Sequence, residues 1–130
     1  MARKTASFVP PLFGDSEDED TSVRDERALV LCEGMIDIAA ALFSVSGREI
    51  RRGGRSSTSV ARVRQIAMYV THTVLRVSMR QVGLGFGRDR TTVLHACHVI
   101  EDMRDDVEFD RHVAMVERVA LAAYRDRLGR

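Results

Sequence analysis

The sequence lacks tryptophan and holds only two prolines, two cysteines and a single lysine, Lys4. Two cysteines are too few for a disulfide framework, and both fall on apolar helical stripes, where a free thiol behaves as a small hydrophobic side chain. No apolar run approaches the ~20 residues that a membrane-spanning helix needs, and the amino-terminal stretch is too polar for a secretory signal. We therefore expect a cytoplasmic protein, whose 130 residues can bury a core without cross-links.

Charge is unevenly distributed along the chain, although the formal net charge is only +1. Residues 48–90 contain ten arginines against Glu49 and Asp89, so this block has a formal charge of +8. The segments on either side are net negative. A basic zone confined to one stretch of a nearly neutral domain is the electrostatic footprint of a phosphate-binding surface. The alternative is that these arginines form ordinary solvated faces.

The chain divides into a tail and one domain. Residues 1–22 are predicted to be a disordered acidic tail, because they bury little and carry the acidic run Asp15–Asp20. Such a run could imitate DNA and fold onto the basic zone, but more often it only increases solubility. Residues 23–130 are predicted to form an all-α helical bundle. Apolar residues recur at helical spacing in three long segments, Ser22–Phe43, Val60–Arg76 and Glu108–Leu128.

Further details of these helices are predicted from side-chain chemistry. In the first helix, a partner-binding face is the alternative to a core-facing stripe. The residues assigned to this stripe, which Gly34 interrupts, are Val23, Leu29, Val30, Ile36, Ile38, Leu42 and Phe43. Ser59 is the expected N-cap of the helix that starts at Val60. The last helix is expected to close the bundle, and an amphipathic dimerisation helix is the alternative interpretation.

The stretch from Ser78 to Met103 has the order of a helix-turn-helix motif. A short apolar-periodic segment runs into a turn with glycine at residues 83, 85 and 87, and a longer helical segment follows Asp89, a natural N-cap. In this motif the second helix enters the major groove of DNA. The glycines lack the preceding strand and the following Lys-Ser/Thr of a phosphate-binding loop, so we assign them to the turn.

The second helix of the motif has two different faces when its residues are placed at intervals of ~100°. The inner face is apolar and consists of Val93, Ala96, Cys97, Ile100 and Met103. The outer face is polar and consists of Thr91, His95 and His98, with Arg90 and Thr92 on its flanks. Side chains this small or polar would let the helix approach base edges closely.

Two blocks of this region, SVARVRQIAM and GRDRTTVLHAC, closely resemble the C-terminal DNA-binding domain of the bacterial chromosomal replication initiator DnaA. The family patterns read Ser-Val-Ala-x-Pro-Arg-Gln-x-Ala-Met and Gly-Gly-Arg-Asp-His-Thr-Thr-Val-x-His-Ala. The resemblance covers roughly residues 25 to 125. This sequence departs from the pattern at Arg90, which replaces histidine, at Val63, which replaces proline, and by one missing glycine before Arg88.

The resemblance implies sequence-specific binding of double-stranded DNA at DnaA-box-like sites. The residues expected to contact bases are Asp89, Arg90, Thr91 and His95. The residues expected to contact the DNA backbone are Arg64, Gln65, Arg88, Thr92 and His98. A basic loop before the helix that starts at Val60 is expected to place Arg55 in the minor groove, which concentrates negative potential over A·T-rich DNA. Arginine at position 90 predicts a variant box with an added guanine contact.

The resemblance also bears on activity and partners. The full-length initiator couples this domain to an ATPase module, for which the present sequence has no room, so we expect a replication or transcription regulator without ATPase activity. The alternative is an adaptor that binds the initiator, or another partner, through its outer helices. No catalytic constellation emerges, and an enzyme is not expected. His95 and His98 have no third and fourth ligand for a tetrahedral metal site, so neither a metal nor another cofactor is expected.

Overall fold

The computed structural model describes residues 21–53 and 57–128, which form six α-helices and one short 3-10 helix. The α-helices are α1 (Thr21–Phe43), α2 (Gly47–Arg51), α3 (Thr58–Thr73), α4 (Met79–Phe86), α5 (Arg90–Met103) and α6 (Val107–Tyr124). The 3-10 helix, Arg125–Leu128, follows α6 directly. No strand occurs within the described ranges, and the predicted all-α fold is confirmed. None of the helices in these ranges has the length and apolar character needed to cross a membrane.

Helix α3 lies at the centre of the bundle and packs against each of the other five α-helices. Its sequence explains this position, because apolar residues occur around most of its circumference. The buried apolar residues are Val60, Val63, Ile66, Ala67, Met68, Tyr69 and Val70. A helix that is apolar on several sides must be covered on several sides. One continuous core results, to which all six helices contribute buried side chains.

Helix α1 buries only part of the predicted stripe, since Ile36 is buried and Ile38, Leu42 and Phe43 pack against the core half-buried. Its buried residues are Ala28, Leu31, Cys32, Met35, Ile36 and Ala39. By contrast, Val23, Leu29 and Val30 are 39%, 37% and 61% exposed, so their assignment to the core is wrong. Apolar residues occur on more than one side of this helix, and periodicity alone does not decide which side faces the core.

The helix boundaries differ from the predicted ones by a few residues. Helix α1 begins at Thr21, two residues before the predicted start of the domain, and the predicted disorder of residues 1–20 lies outside the described residues. The N-cap of α3 is Ser57 rather than Ser59, because the Ser57 hydroxyl accepts the Val60 N–H at 3.2 Å. Consecutive Ser and Thr residues offer several possible caps, and sequence alone does not rank them.

Candidate nucleic-acid interface

The turn between α4 and α5 depends on two glycines. Gly87 adopts a φ of +69°, in the left-handed region that favours glycine. The Arg88 N–H donates to the Gly83 carbonyl oxygen at 2.9 Å. A Cβ on Gly83 would lie 2.5 Å from the Arg88 carbonyl oxygen, which is closer than real Cβ atoms approach. These glycines let α5 start immediately after α4, as a helix-turn-helix motif requires.

Helix α5 begins behind the predicted N-cap, Asp89. The Asp89 carboxylate accepts the Thr92 N–H at 2.8 Å. This hydrogen bond is the largest cause of a lowered pKa at Asp89, so the carboxylate is charged near neutral pH. The partial positive charge at a helix N-terminus stabilises an anion, whether it is this carboxylate or a phosphate.

The outer face of α5 is open to solvent, while its inner face lies in the core. The exposed residues are Arg90, Thr91, Thr92, His95 and His98. The buried residues on the opposite side are Val93, Ala96, Cys97 and Ile100. The division into faces that the sequence predicted is therefore present, with Met103 only half-buried. Contact between the exposed residues and DNA stays a prediction.

Arg64 was expected to contact the DNA backbone, which requires a side chain that solvent can reach. It is only 6% exposed, and it donates to carbonyl oxygens of α2, from Nε to Ile50 at 2.6 Å and from Nη2 to Glu49 at 3.0 Å. Burial is the main reason that the pKa of Arg64 is lowered, and the nearby charge of Arg88 adds to it. Arg64 therefore lies on a buried side of α3, because α2 packs over it, and it lacks the solvent access that a DNA-contacting side chain needs.

Arg88 connects the turn of the motif to the end of α2. Its Nη2 donates to the Arg52 carbonyl oxygen at 2.7 Å, and its Nη1 donates to the Phe86 carbonyl oxygen at 3.0 Å. The end of α2 therefore lies beside the N-terminus of α5, with Arg64 and Arg88 next to it. No pattern in the sequence predicts this arrangement, because the partners of both arginines are backbone carbonyl groups.

Two other predicted backbone contacts lie near α3. Gln65 is half-buried, and its Oε1 accepts a hydrogen bond from Nη1 of Arg62 at 2.6 Å. Arg62 was not among the predicted site residues. Its only signal in the sequence is that it is one of the ten arginines of residues 48–90. Arg55 lies outside the described residues, so its minor-groove role stays a prediction. The residues that border this gap, Gly53 and Ser57, are exposed.

The other end of α5 is acidic and takes part in a different network. Just after α5, Arg104 donates to Asp110 at 2.6 Å and to both carboxylate oxygens of Glu117 at 2.8 and 3.1 Å. The Tyr69 hydroxyl donates to Glu101 at 2.5 Å. Carboxylates repel phosphates, so this charge distribution favours DNA at the N-terminal end of α5 over its C-terminal end.

Histidine and cysteine in α5 do not form a metal site in the described part of the chain. Cys97 is 7% exposed and faces the core, whereas His95 and His98 face solvent. Within residues 21–53 and 57–128, no group of three or more His, Cys, Asp or Glu side chains is arranged to hold a metal ion.

Comparisons with known proteins agree with this geometry. Residues 32–100 match the family described as "Bacterial dnaA protein helix-turn-helix". The chain is similar to the chromosomal replication initiator protein DnaA of Agrobacterium fabrum, with 35% identity over 118 residues, 87% of this chain and 24% of that protein. It is also similar to DnaA 1 of Protochlamydia amoebophila, with 32% identity over 93 residues, 71% of this chain and 20% of that protein. The chain thus spans about a quarter or less of these curated relatives.

A solved structure shares the fold. It is described as the crystal structure of a DNA replication initiation factor, and it aligns with a TM-score of 0.70. The alignment covers 78% of this chain and 32% of the solved chain, at 23% sequence identity. At this identity the likeness supports the helical arrangement alone.

Proposed function

Because the chain belongs to the bacterial DnaA helix-turn-helix family, we propose that it binds double-stranded DNA sequence-specifically at DnaA-box-like sites. The helix-turn-helix domain of this family is a DNA-binding module of replication initiation. The observation that carries the proposal is the exposed polar face of α5, which begins at a capped N-terminus and has arginines beside it. Helix α5 then lies in the major groove, with its acidic end directed away from the duplex.

The proposed base contacts come from the first turns of α5. Arg90 is exposed and suits the O6 and N7 atoms of guanine. The methyl group of Thr91 suits the methyl group of thymine, and the Asp89 carboxylate can accept from N4 of cytosine. His95 lies about one turn further along the same exposed face and is the fourth proposed base contact.

The proposed phosphate contacts surround this face. Thr92 and His98 are exposed on α5, Arg88 is half-buried in the turn before α5, and Gln65 is half-buried on α3. Such contacts fix the register of the helix on the duplex and supply affinity without reading sequence. We leave Arg64 out of this set, because its guanidinium is buried against α2. The proposed minor-groove role of Arg55 rests on the resemblance to the DnaA family alone.

The proposed biological role is regulation of replication or transcription by occupying boxes that the full-length initiator also recognises. Recognition by a pre-formed helix and fixed arginines requires no nucleotide hydrolysis, so the role needs no ATPase activity. It would place the protein on the nucleoid, in the cytoplasm.

Selection from random duplexes, followed by binding at several salt concentrations, tests the proposal. We expect an enriched sequence related to the DnaA box, with an additional guanine preference attributable to Arg90. The logarithm of the binding constant should fall with the logarithm of salt concentration by about 0.9 per phosphate neutralised. An absence of any enriched sequence, together with a slope near zero, would contradict sequence-specific DNA binding.

A second candidate function is an adaptor that binds the full-length initiator or another protein. Exposed apolar side chains on the outer helices favour it, since Val30 of α1 is 61% exposed and Leu84 of α4 is 52% exposed. Apolar association should depend little on salt, unlike phosphate binding. Binding of the purified initiator that persists at high salt, without competition from duplex DNA, would favour the adaptor.

A further inference from the structure

Four consecutive carbonyl groups at the end of α2 accept hydrogen bonds from two arginine side chains. Arg64 donates to the carbonyl oxygens of residues 49 and 50, at 3.0 and 2.6 Å. Arg88 donates to those of residues 51 and 52, at 3.5 and 2.7 Å. The last carbonyl groups of a helix lack partners within the helix and carry partial negative charge. We call this arrangement of Arg64, Arg88 and the four carbonyl groups the arginine clamp.

The arginine clamp holds two like charges close together in a partly desolvated position. Arg64 is 6% exposed, and its proximity to Arg88 disfavours its charged form. Arginine nevertheless stays protonated in proteins. The dipoles of the four carbonyl groups must therefore offset the repulsion between the two guanidinium groups. For this, each guanidinium must hold several N–H donors in a fixed geometry. Lysine has a single compact charge and cannot reproduce the planar fork of a guanidinium.

The position of the arginine clamp links α2 to the start of α5. Arg88 immediately precedes Asp89, the N-cap of α5, and its Nη2 is bonded to the carbonyl group of Arg52. The side chain of Arg52 is exposed. The other side of α2 is anchored to α1, because Arg51 donates to Glu33. The backbone at Arg52 is therefore fixed relative to the outer face of α5.

We propose that Arg64 is a positioning residue for DNA binding, which together with Arg88 places Arg52 to contact phosphate beside the N-terminus of α5. Arg64 itself then contacts no phosphate. This inference rests on the proposed function, since it assigns a role within DNA recognition. It also adds Arg52, one of the ten arginines of residues 48–90, to the DNA-contacting residues.

The test measures binding of the full chain to a fluorescein-labelled duplex carrying the sequence that the wild-type chain enriches. Arg64→Lys keeps the positive charge but removes the fork. If Arg64 contacted phosphate, lysine would retain most of the affinity and of the salt dependence. If Arg64 positions Arg52, affinity should fall about tenfold or more, as for loss of charge-assisted hydrogen bonds. The salt slope should also become shallower by about one, because the Arg52 contact is lost.

A double-mutant comparison identifies Arg52 as the residue through which Arg64 acts. Arg52→Ala should weaken binding in the wild-type background and cause little further loss in the Arg64→Lys background. Arg104→Lys is the matched control, because it replaces another partly buried, hydrogen-bonded arginine at the far end of α5. It should lower stability to urea while leaving the salt slope unchanged.

The outcomes distinguish this inference from the proposed function. If the wild-type chain enriches no sequence, the proposed function fails. If the wild-type chain binds but Arg64→Lys binds within about twofold of it, or if its loss and that of Arg52→Ala add, the positioning role is wrong. If Arg64→Lys does not fold, Arg88→Lys tests the half-buried side of the arginine clamp. Lysine can keep the phosphate contact proposed for Arg88 itself, so the readout is the coupling to Arg52→Ala. Losses of Arg88→Lys and Arg52→Ala that add would contradict the positioning of Arg52.

Discussion

The Asp89 carboxylate and the Thr92 backbone N–H form a hydrogen bond of 2.8 Å at the start of α5. Both residues are exposed, and both belong to the surface proposed to face DNA. Asp89 therefore has two effects that oppose each other. As an N-cap it stabilises the first turn of α5, and as a negative charge it repels nearby phosphates.

Substitutions at Asp89 separate these two effects. Asp89→Asn keeps a good N-cap and removes the charge, so non-specific affinity for DNA should rise while thermal stability changes little. Asp89→Ala removes both, and it should lower the Tm. Binding to the enriched duplex and to an unrelated duplex, with thermal unfolding by circular dichroism, measures both quantities. Equal non-specific affinity of Asp89→Asn and the wild type would show that the carboxylate does not lie near phosphate.

Arg90 is expected to determine the base preference at one position of the site. Arg90→Ala should cost ~1–3 kcal/mol of binding to the enriched duplex and relax that position alone. Arg90→His, which installs the residue of the family pattern, should instead shift the preference away from guanine. Repeating the random-duplex selection with both variants measures the preference. An unchanged preferred sequence in Arg90→Ala would show that Arg90 does not read a base.

The sequence was sufficient to predict what depends on local chemistry. The helix-turn-helix, the Asp89 cap and the two faces of α5 follow from spacing within a single segment, and the structure contains all three. Each of these features depends on residues less than about two helical turns apart.

Features that depend on the packing of separate segments were not predictable from local spacing. Arg64 is buried because its partners are carbonyl oxygens of α2. Every residue has a carbonyl group, so the sequence does not show which ones an arginine will bind. Val30 of α1 is exposed because α3 and α4 pack against another face of that helix. In both cases two local arrangements were equally compatible with the sequence, and tertiary contacts selected one.

The close approach of Gly83 to the Arg88 carbonyl oxygen makes Gly83 sensitive to any side chain. Gly83→Ala would place a Cβ 2.5 Å from that oxygen, so the turn between α4 and α5 must shift. We expect the free energy of unfolding to fall by about 1–3 kcal/mol, as for other overpacked sites. Gly53→Ala is the control, because a Cβ there meets nothing within 4 Å. Urea unfolding of both variants measures the difference, and equal stability would contradict the close approach.

Stability at alkaline pH should depend on three buried acidic groups. Burial raises the pKa of the Cys32 thiol to about 12 and that of the Cys97 thiol to about 11, from 9.0. Burial, with the hydrogen bond to Glu101, raises the pKa of Tyr69 from 10.0 to about 12. Since each folded-state pKa is raised, the unfolded chain loses these protons first. Their stabilising contribution is complete below about pH 9 and is lost as the pH rises towards about 12.

Urea unfolding under reducing conditions, repeated at several pH values from about 8 to about 11, measures this dependence. Between the unfolded and folded pKa values, each group should remove up to about 1.4 kcal/mol of stability per pH unit. Cys97→Ala should make the decline shallower, and the pair Cys32→Ala with Cys97→Ala should make it shallower still. Lysines, which otherwise titrate in this range, contribute little because Lys4 is the only one. A decline that is the same in the double variant as in the wild type would show that the thiols are not buried as described.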